Sequence, residues 1–310
     1  MIKKEDLVCI IILNWNGIKI TQRCLNSLKM TDYNNYKIIV LDNGSTDNSL
    51  NILKKYKNID LLQSNINLGY AKGLNFCYDY VLKKYDPIYI VNMNNDILTI
   101  QKDWLTLMVE ELSKAKQNGI CGNKLVFPDN RVQLLFYDRH PKEYLEKDFG
   151  QFDFIKTVSA VGGANMLIKT KVIYDIGGTD ENYFFGPDDL DFCFRAKKAG
   201  YNIIYNGYSK SIHIGSFSYL NSTKDSMYKE LAFGQILFYL RYKKFCSFLI
   251  MIGRQFLRIF LIRKNPYKKI TFKNLYFNNR FVIRFFLFLK AIFKSIKNRN
   301  IIKNSWVLKR

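Results

Sequence analysis

A chain of 310 residues, 48% of them apolar, is long enough to bury a full core and too hydrophobic to stay disordered. Its net charge of +22 is unevenly placed: residues 241–310 hold 19 of the 48 basic residues and none of the 26 acidic ones, leaving the first 240 nearly neutral. Six scattered cysteines (Cys9, Cys24, Cys77, Cys121, Cys193, Cys246) form no C-x-x-C pair, which speaks against a disulfide framework or zinc cage and for reduced thiols in a cytosolic setting.

The first apolar run, Leu7–Leu13, ends in Asn14-Trp15-Asn16 without a small-residue cleavage site, so it reads as a buried strand and not as a signal peptide. Thr21–Lys29 has helical spacing, with Leu25 and Leu28 on one side. Tyr36–Leu41 is a second strand closing on the turn sequence Asp42-Asn43-Gly44-Ser45, and Ser45 or Thr46 is placed to cap a helix through Asn48–Tyr56. A strand at Ile59–Gln63, a helix over Tyr70–Lys84, a strand at Ile88–Met93 and a helix over Asp103–Ala115 follow. This alternation predicts an α/β fold with a mostly parallel central sheet and helices on both faces.

Farther on the pattern loosens. Lys124–Phe152, rich in charge and aromatics, reads as a loop over the mouth of the sheet. Thr157–Lys169 reads as a strand bent at Gly162-Gly163-Ala164-Asn165, Asp191–Ala199 as a short helix closed by Gly200, and Tyr201–Tyr205 as a last strand ahead of Ser211-Ile212-His213-Ile214-Gly215. The expected division is an α/β domain over residues 1–245 and a basic tail over 246–310.

In open parallel sheets ligands bind beyond the carboxyl ends of the strands. The polar residues Asn14 and Asn16, Asp42, and Asn94-Asn95-Asp96 fall at three such ends, which argues for one shared site. Asp96 offers a hard oxygen ligand of the kind suited to Mg²⁺ or Mn²⁺, and His213 an imidazole. Asp188, Asp189 and Asp191 crowd three carboxylates ahead of a helical pattern; Asp188 and Asp191 share a helix face and Asp189 points elsewhere. Gly69 and Lys72 sit at a helix opening, where free N–H groups favour anions. Neither a G-x-x-x-x-G-K-[ST] loop nor a G-x-G-x-x-G after the first strand is present, so ATPase and NAD-binding readings lose their support.

Taken in order, the blocks Ile12-Leu13-Asn14-Trp15-Asn16, Val40-Leu41-Asp42-Asn43-Gly44-Ser45-Thr46-Asp47, Asn67-x-Gly69-Tyr70-Ala71-x-Gly73-x-Asn75, Asn94-Asn95-Asp96, Gly162-Gly163-Ala164-x-Met166 and Asp188-Asp189-x-Asp191-x-Cys193-x-Arg195, through Gly200-Tyr201 to His213, resemble the family 2 glycosyltransferases. The resemblance covers about residues 7–245 and is nearest to the rhamnosyltransferase-like branch that builds bacterial surface polysaccharides. It implies the GT-A fold and an inverting transfer of sugar from a nucleotide-diphospho-sugar donor to a glycan or lipid-linked acceptor. By this similarity Asn14, Trp15, Asn16, Asp42, Asn43, Lys72 and Asn95 hold the nucleotide-sugar. Asp96, with His213 and Asn94, holds a divalent metal (Mg²⁺ or Mn²⁺), Asn94 standing where the family has an aspartate. Asp189 is the general base, with Asp188 in the place of a family glutamate. Gly163, Ala164, Asn165 and Asp191 meet the acceptor. The rival readings are a nucleotidyltransferase and a non-catalytic nucleotide- or sugar-binding protein.

In the tail, Phe281, Phe285, Phe288, Leu289, Ile292, Phe293 and Ile296 fall on one side of a helix, and Arg280, Arg284, Lys290, Lys294 and Lys297 on the other. Phe245–Ile262 is interrupted by Arg254 and Arg258 and falls short of an apolar span of about 20 residues. The expected partner is therefore an anionic membrane surface, with the chain peripheral on the cytoplasmic face of the cell membrane. No nucleic-acid module is recognised. The sequence admits a homo-oligomer without requiring one.

Overall fold

The computed structural model describes residues 5–134, 146–184, 186–215, 224–242, 261–263, 275–277 and 281–301. The chain divides into two compact units. One runs to Glu181 and resumes at Asp188; the other holds Asn182–Pro187 and the helices beyond Ser222.

The first unit is a ten-stranded sheet with helices on both faces. Its strands are β1 (Val8–Asn14), β2 (Tyr36–Asn43), β3 (Asp60–Ser64), β4 (Tyr89–Asn94), β5 (Ile97–Thr99), β6 (Asn118–Val126), β7 (Val132–Leu134), β8 (Ile155–Val158), β9 (Asn165–Lys169) and β10 (Asn202–His213). Its helices are α1 (Ile18–Leu28), α2 (Ser49–Leu53), α3 (Tyr70–Lys84), α4 (Trp104–Ser113), α5 (Thr170–Ile176) and α6 (Asp188–Lys198). The strand order is β3-β2-β1-β4-β9-β6-β10-β5, with β7 beside β6 and β8 beside β10.

The continuous apolar runs of β1 and β2 fill both faces of the sheet, as strands covered on two sides must. Cys9 and Ile11 turn to one face, with Leu74, Cys77 and Val81 of α3 and Phe192, Cys193 and Ala196 of α6. Val8, Ile10 and Ile12 turn to the other, with Leu25 and Leu28 of α1 and Trp104, Leu105 and Met108 of α4. This period-two alternation builds two core layers from one strand. Gly73 of α3 faces β1 so closely that a Cβ there would meet Leu13 Cδ2 at 2.5 Å.

The expectation of a mostly parallel sheet holds for only part of it. Strands β3, β2, β1 and β4 are parallel neighbours, but β9 runs antiparallel to both β4 and β6, and β10 antiparallel to β5 and β8. The expected loop from Lys124 begins inside β6, whose residues are all buried, and it contains β7. The Asn and Gly residues of Asn118-Gly119-Ile120-Cys121-Gly122-Asn123-Lys124 carry a turn-like composition that masks a strand. Gly122 is required there because a Cβ would stand 2.5 Å from Val161 Cβ.

In the second unit α7 (Lys224–Tyr242) packs against α8 (Phe281–Asn298). Tyr183, Phe233, Ile236, Leu237, Phe288 and Ala291 form its core. Arg241 donates to the carbonyls of Asn298, Arg299 and Ile301, satisfying the open end of α8, and its guanidinium lies over the Tyr183 ring. Of the apolar face expected on α8, Phe288 turns inward, whereas Phe293 (72% exposed) and Ile296 (51%) face outward with Phe286. Phe281 and Phe285 lie outside the residues whose side chains are described. Two short strands, β11 (Leu261–Arg263) and β12 (Leu275–Phe277), pair antiparallel; Cys246 and the rest of Phe245–Phe260 lie outside the described residues. Among the described residues no helix is long and apolar enough to cross a membrane.

Candidate active site

The parallel register sets Asn14 beside Asp42 and Leu13 beside Asn94, so three strand ends meet at one edge. Asn14, fully buried, donates to Asp42 Oδ2 and Ser45 Oγ, each at 3.1 Å, and accepts from Thr21 Oγ1 at 2.7 Å. Thr21 in turn accepts from Asn95 Nδ2 at 2.9 Å. The other Asp42 oxygen accepts from Ser45 N at 3.1 Å. Asn16 adopts φ 49°, a left-handed conformation that asparagine tolerates, and its Oδ1 gathers the N–H groups of Thr46 and Asp47 at 2.7 and 3.3 Å. The result is a fixed carboxylate on a braced turn, and half-exposed Trp15 stands between Asn14 and Asn16 in sequence.

Asn43 and Asn95, expected on the nucleotide-sugar, turn inward instead. Asn43 is buried and ties the loop before α3 by bonds to Asn67 Oδ1, Gly69 O and Leu68 N. Asn95 is 8% exposed and braces Thr21. Lys72 stays exposed in the first turn of α3. Asn75, the last residue of the Asn67–Asn75 block, is likewise a clamp: it bonds both the N–H and the carbonyl of Thr179 and reaches Glu181.

Asp96 is 5% exposed. Its Oδ1 lies 3.1 Å from His213 Nε2, its Oδ2 accepts from Gly215 N at 3.1 Å, and Asn94 Nδ2 is 3.5 Å from the same imidazole nitrogen. The pairing of β10 with β5, which sets His213 opposite Ile97, brings these residues together across more than a hundred positions. Two ligands on adjacent vertices of a Mg²⁺ octahedron, with bonds of about 2.1 Å, stand roughly 3.0 Å apart. The Asp96–His213 separation therefore fits a divalent cation that takes its remaining ligands from water and phosphate. No cluster of three His, Cys, Asp or Glu side chains suited to a metal occurs among the described residues.

The acid cluster splits by burial. Asp191 is fully buried and paired to Arg195 Nε at 2.7 Å, while the rest of that guanidinium binds the carbonyls of Ile176 and Gly178. The acceptor role expected for Asp191 is thereby corrected: one turn along α6 from Asp188, it faces the core. Asn165 is corrected for the same reason, being 1% exposed and bonded to Ser211 Oγ at 3.3 Å within the sheet. Asp188 is buried at the start of α6, and Asp189 is half-exposed. Asp189 Oδ2 accepts from Gly163 N at 3.0 Å and Oδ1 from Leu190 N at 2.8 Å. A Cβ on Gly163 would stand 3.0 Å from Asp189 Cβ, so the glycine allows the backbone to approach the carboxylate.

Tyr70, quoted above only as part of a motif, connects these groups. Its hydroxyl donates to Gly163 O at 3.2 Å. Burial first, and then the charges of Asp188, Tyr78, Asp189 and Asp96, push this phenol well above its ordinary value. Acids from two parts of the sequence, Asp188 and Asp189 on α6 and Asp96 after β4, thus act on one hydroxyl. Gly215 and Thr21 also escaped sequence reading. Only their position beside a candidate ligand or strand end signals them, and that position is tertiary.

The sequence pattern described as glycosyl transferase family 2 matches residues 9–177. An uncharacterized protein, y4gI, of Sinorhizobium fredii is 26% identical over 68% of this chain, which spans 25% of that protein's length. The N-acetylglucosaminyl-diphospho-decaprenol L-rhamnosyltransferase of Mycobacterium tuberculosis is 21% identical over 67% of this chain and 76% of its own. Among solved structures, the mannosyltransferase PcManGT of Pyrobaculum calidifontis, in complex with GDP-Man and Mn²⁺, superposes with a TM-score of 0.58 over 97% of this chain and 89% of that one, at 12% identity. That likeness establishes a GT-A fold. With more than half of its length matched in sequence, the chain belongs to glycosyl transferase family 2.

Proposed function

We propose that the chain is an inverting glycosyltransferase that moves a sugar from a nucleotide-diphospho-sugar to a hydroxyl acceptor by single displacement. Asp42, braced by Asn14 and Ser45, binds the nucleoside through its fixed carboxylate, and the Trp15 ring offers a face for the base. Asp189 accepts the proton of the acceptor hydroxyl as that oxygen bonds to the anomeric carbon. The bond from that carbon to the diphosphate breaks on the opposite face, and its electron pair leaves with the nucleoside diphosphate. A divalent cation held by Asp96 and His213 supplies charge neutralisation for that diphosphate. The observation that carries the reading is Asp189: an accessible carboxylate fixed by two N–H groups, one of them from Gly163, whose carbonyl accepts from the Tyr70 hydroxyl.

The relative named as an L-rhamnosyltransferase on a diphospho-decaprenol supports trying rhamnose donors and polyprenyl-diphosphate-linked acceptors first. In a radiolabelled-sugar assay Asp189→Asn is expected to lower kcat by ~10²–10⁴ with donor binding unchanged. Turnover like that of the unaltered chain sinks the assignment.

We further propose that residues 246–310 rest on the anionic cytoplasmic leaflet. Phe286, Phe293 and Ile296 on the open face of α8, with exposed Lys290 and Lys297 beside them, support this. Basic residues near such a surface contribute about 1 kcal/mol each. Phe293→Glu with Ile296→Glu is expected to abolish flotation with phosphatidylserine liposomes; flotation unchanged by that pair removes α8 from the contact.

A further inference from the structure

Gln133 lies where β7 slips against β6: Leu125 pairs with Leu134 but Val126 with Val132, so Gln133 is the extra residue of a bulge. Bulges turn a side chain off the regular alternation and recur beside active sites. Here Val132 stays buried while the Gln133 amide reaches His213, its Oε1 lying 2.5 Å from Nδ1. The opposite ring nitrogen is the one 3.1 Å from Asp96. Gly215 closes the set. Its N–H holds Asp96 Oδ2, and a Cβ built on it would stand 2.9 Å from Gln133 Nε2, so a side chain at 215 would crowd the amide.

We propose that Gln133 is a positioning residue that decides which nitrogen of His213 carries the hydrogen, and so whether Nε2 meets the cation site as a bare lone pair, an inference that rests on Asp96 and His213 holding the cation. An imidazole that donates Nδ1–H to the Gln133 carbonyl presents a bare Nε2 lone pair, the form that ligates a metal. A primary amide also donates, and a half-turn about its last bond exchanges its two ends. With the NH₂ toward Nδ1, the neutral ring carries its hydrogen on Nε2 and donates it to Asp96. One side chain at 133 thus suits the imidazole with and without the cation, and the Asp96 carboxylate has a favourable partner in both. Leucine at 133 removes both settings, whereas glutamate keeps the accepting one that ligation needs.

The test is a titration of the full chain with Mn²⁺ alone, following the electron paramagnetic resonance of the free ion, in the unaltered chain and in Asp96→Asn, Gln133→Leu and Gln133→Glu. Circular dichroism checks the fold of each. Expected are loss of binding in Asp96→Asn, a ~10–100-fold weaker dissociation constant in Gln133→Leu, and recovery to the unaltered value or tighter in Gln133→Glu. Nitrogen-15 spectra with Mg²⁺ are expected to show His213 protonated on Nδ1 in the unaltered chain and a tautomer mixture in Gln133→Leu. If Gln133→Leu binds Mn²⁺ like the unaltered chain while Asp96→Asn does not, the role of Gln133 fails and the cation reading stands. Weakening without rescue by glutamate makes Gln133 a packing residue and overturns the proposal. If the unaltered chain and Asp96→Asn bind alike, the cation reading fails and takes this inference with it.

Discussion

The two halves of the sheet serve one site by different means. In β3-β2-β1-β4 the strands are parallel, their buried interiors are apolar apart from Asn92 of β4, and the useful polar groups stand at the carboxyl ends: Asn14, Asp42 and Asn94. In β9-β6-β10 the neighbours include antiparallel pairs, and buried polar side chains run through the strands themselves: Asn123, Lys124, Asn165 and Ser211. The parallel half locates its site by topology, since every strand must end at the same edge. The other half locates its groups by particular tertiary contacts, such as the β7 bulge at Gln133 and the Ser211 hydroxyl that both Asn123 and Asn165 address.

The largest test concerns α6, where the acid proposed as base and a structural acid lie two residues apart. Arg195→Leu takes the guanidinium away from Asp191, which is fully buried, and is expected to cost about 3–5 kcal/mol in urea unfolding. Asp189→Asn is expected to leave the urea midpoint where it was. If Arg195→Leu instead unfolds like the unaltered chain and loses only transfer, the division of the cluster into a base and a structural pair is wrong.

Asparagines in the two halves give a smaller contrast. Asn14→Ala removes a side chain with three good hydrogen bonds and is expected to cost about 1–3 kcal/mol, with a parallel loss of donor affinity, because Asp42 and Thr21 lose their shared partner. Among the described residues the Asn165 side chain makes one hydrogen bond, of 3.3 Å, and its Oδ1 has no partner. Asn165→Ala is expected to cost about 1 kcal/mol or less and to leave the donor dissociation constant unchanged, as thermal shift with nucleoside diphosphates would measure. A loss of donor affinity in Asn165→Ala would dissolve the distinction between the halves.

This contrast also explains what was legible in the sequence. Strands β1, β2 and β4 and helix α3 announce themselves by unbroken apolar runs and helical periodicity, and Asp42 and Asp96 by standing where those runs stop. β6 did not, because Gly119, Gly122, Asn123 and Lys124 read as turn or surface until Tyr201, Val161, Ser211 and Asp148 are known to lie against them. Asp191 and Asn165 took on an acceptor role by resemblance, and only Arg195 and Ser211 reveal where their side chains turn. The motif residues Asn43 and Asn75 are distinctive in sequence because they lock loops, a role that spacing does not separate from ligand contact.

A last test lies in the antiparallel half. Lys124, 2% exposed on β6, and Lys210 on β10 both reach Asp148 Oδ2 at 2.8 Å, and Lys124 also meets Asp153, anchoring the segment that returns to β8. Burial, the largest single influence, pushes the Asp148 carboxyl up, but the bonds from Lys124, Lys210 and the Gly150 N–H together outweigh it and hold the group below its ordinary value. A carboxyl lowered by folding binds fewer protons in the folded chain than in the unfolded one. Its stabilising contribution is therefore complete above the ordinary carboxylate range and is lost as pH falls through the lowered value. Hydrogen-exchange protection of residues 146–153 is accordingly expected to hold steady from neutral pH down to about 5 and to fall below about 4. Asp148→Asn should show weaker protection throughout and no such step, since an amide leaves Lys124 buried without this carboxylate at any pH. A step of equal size in Asp148→Asn would assign the acid sensitivity to another group, and the two lysines would then be packed beside Asp148 without depending on its charge.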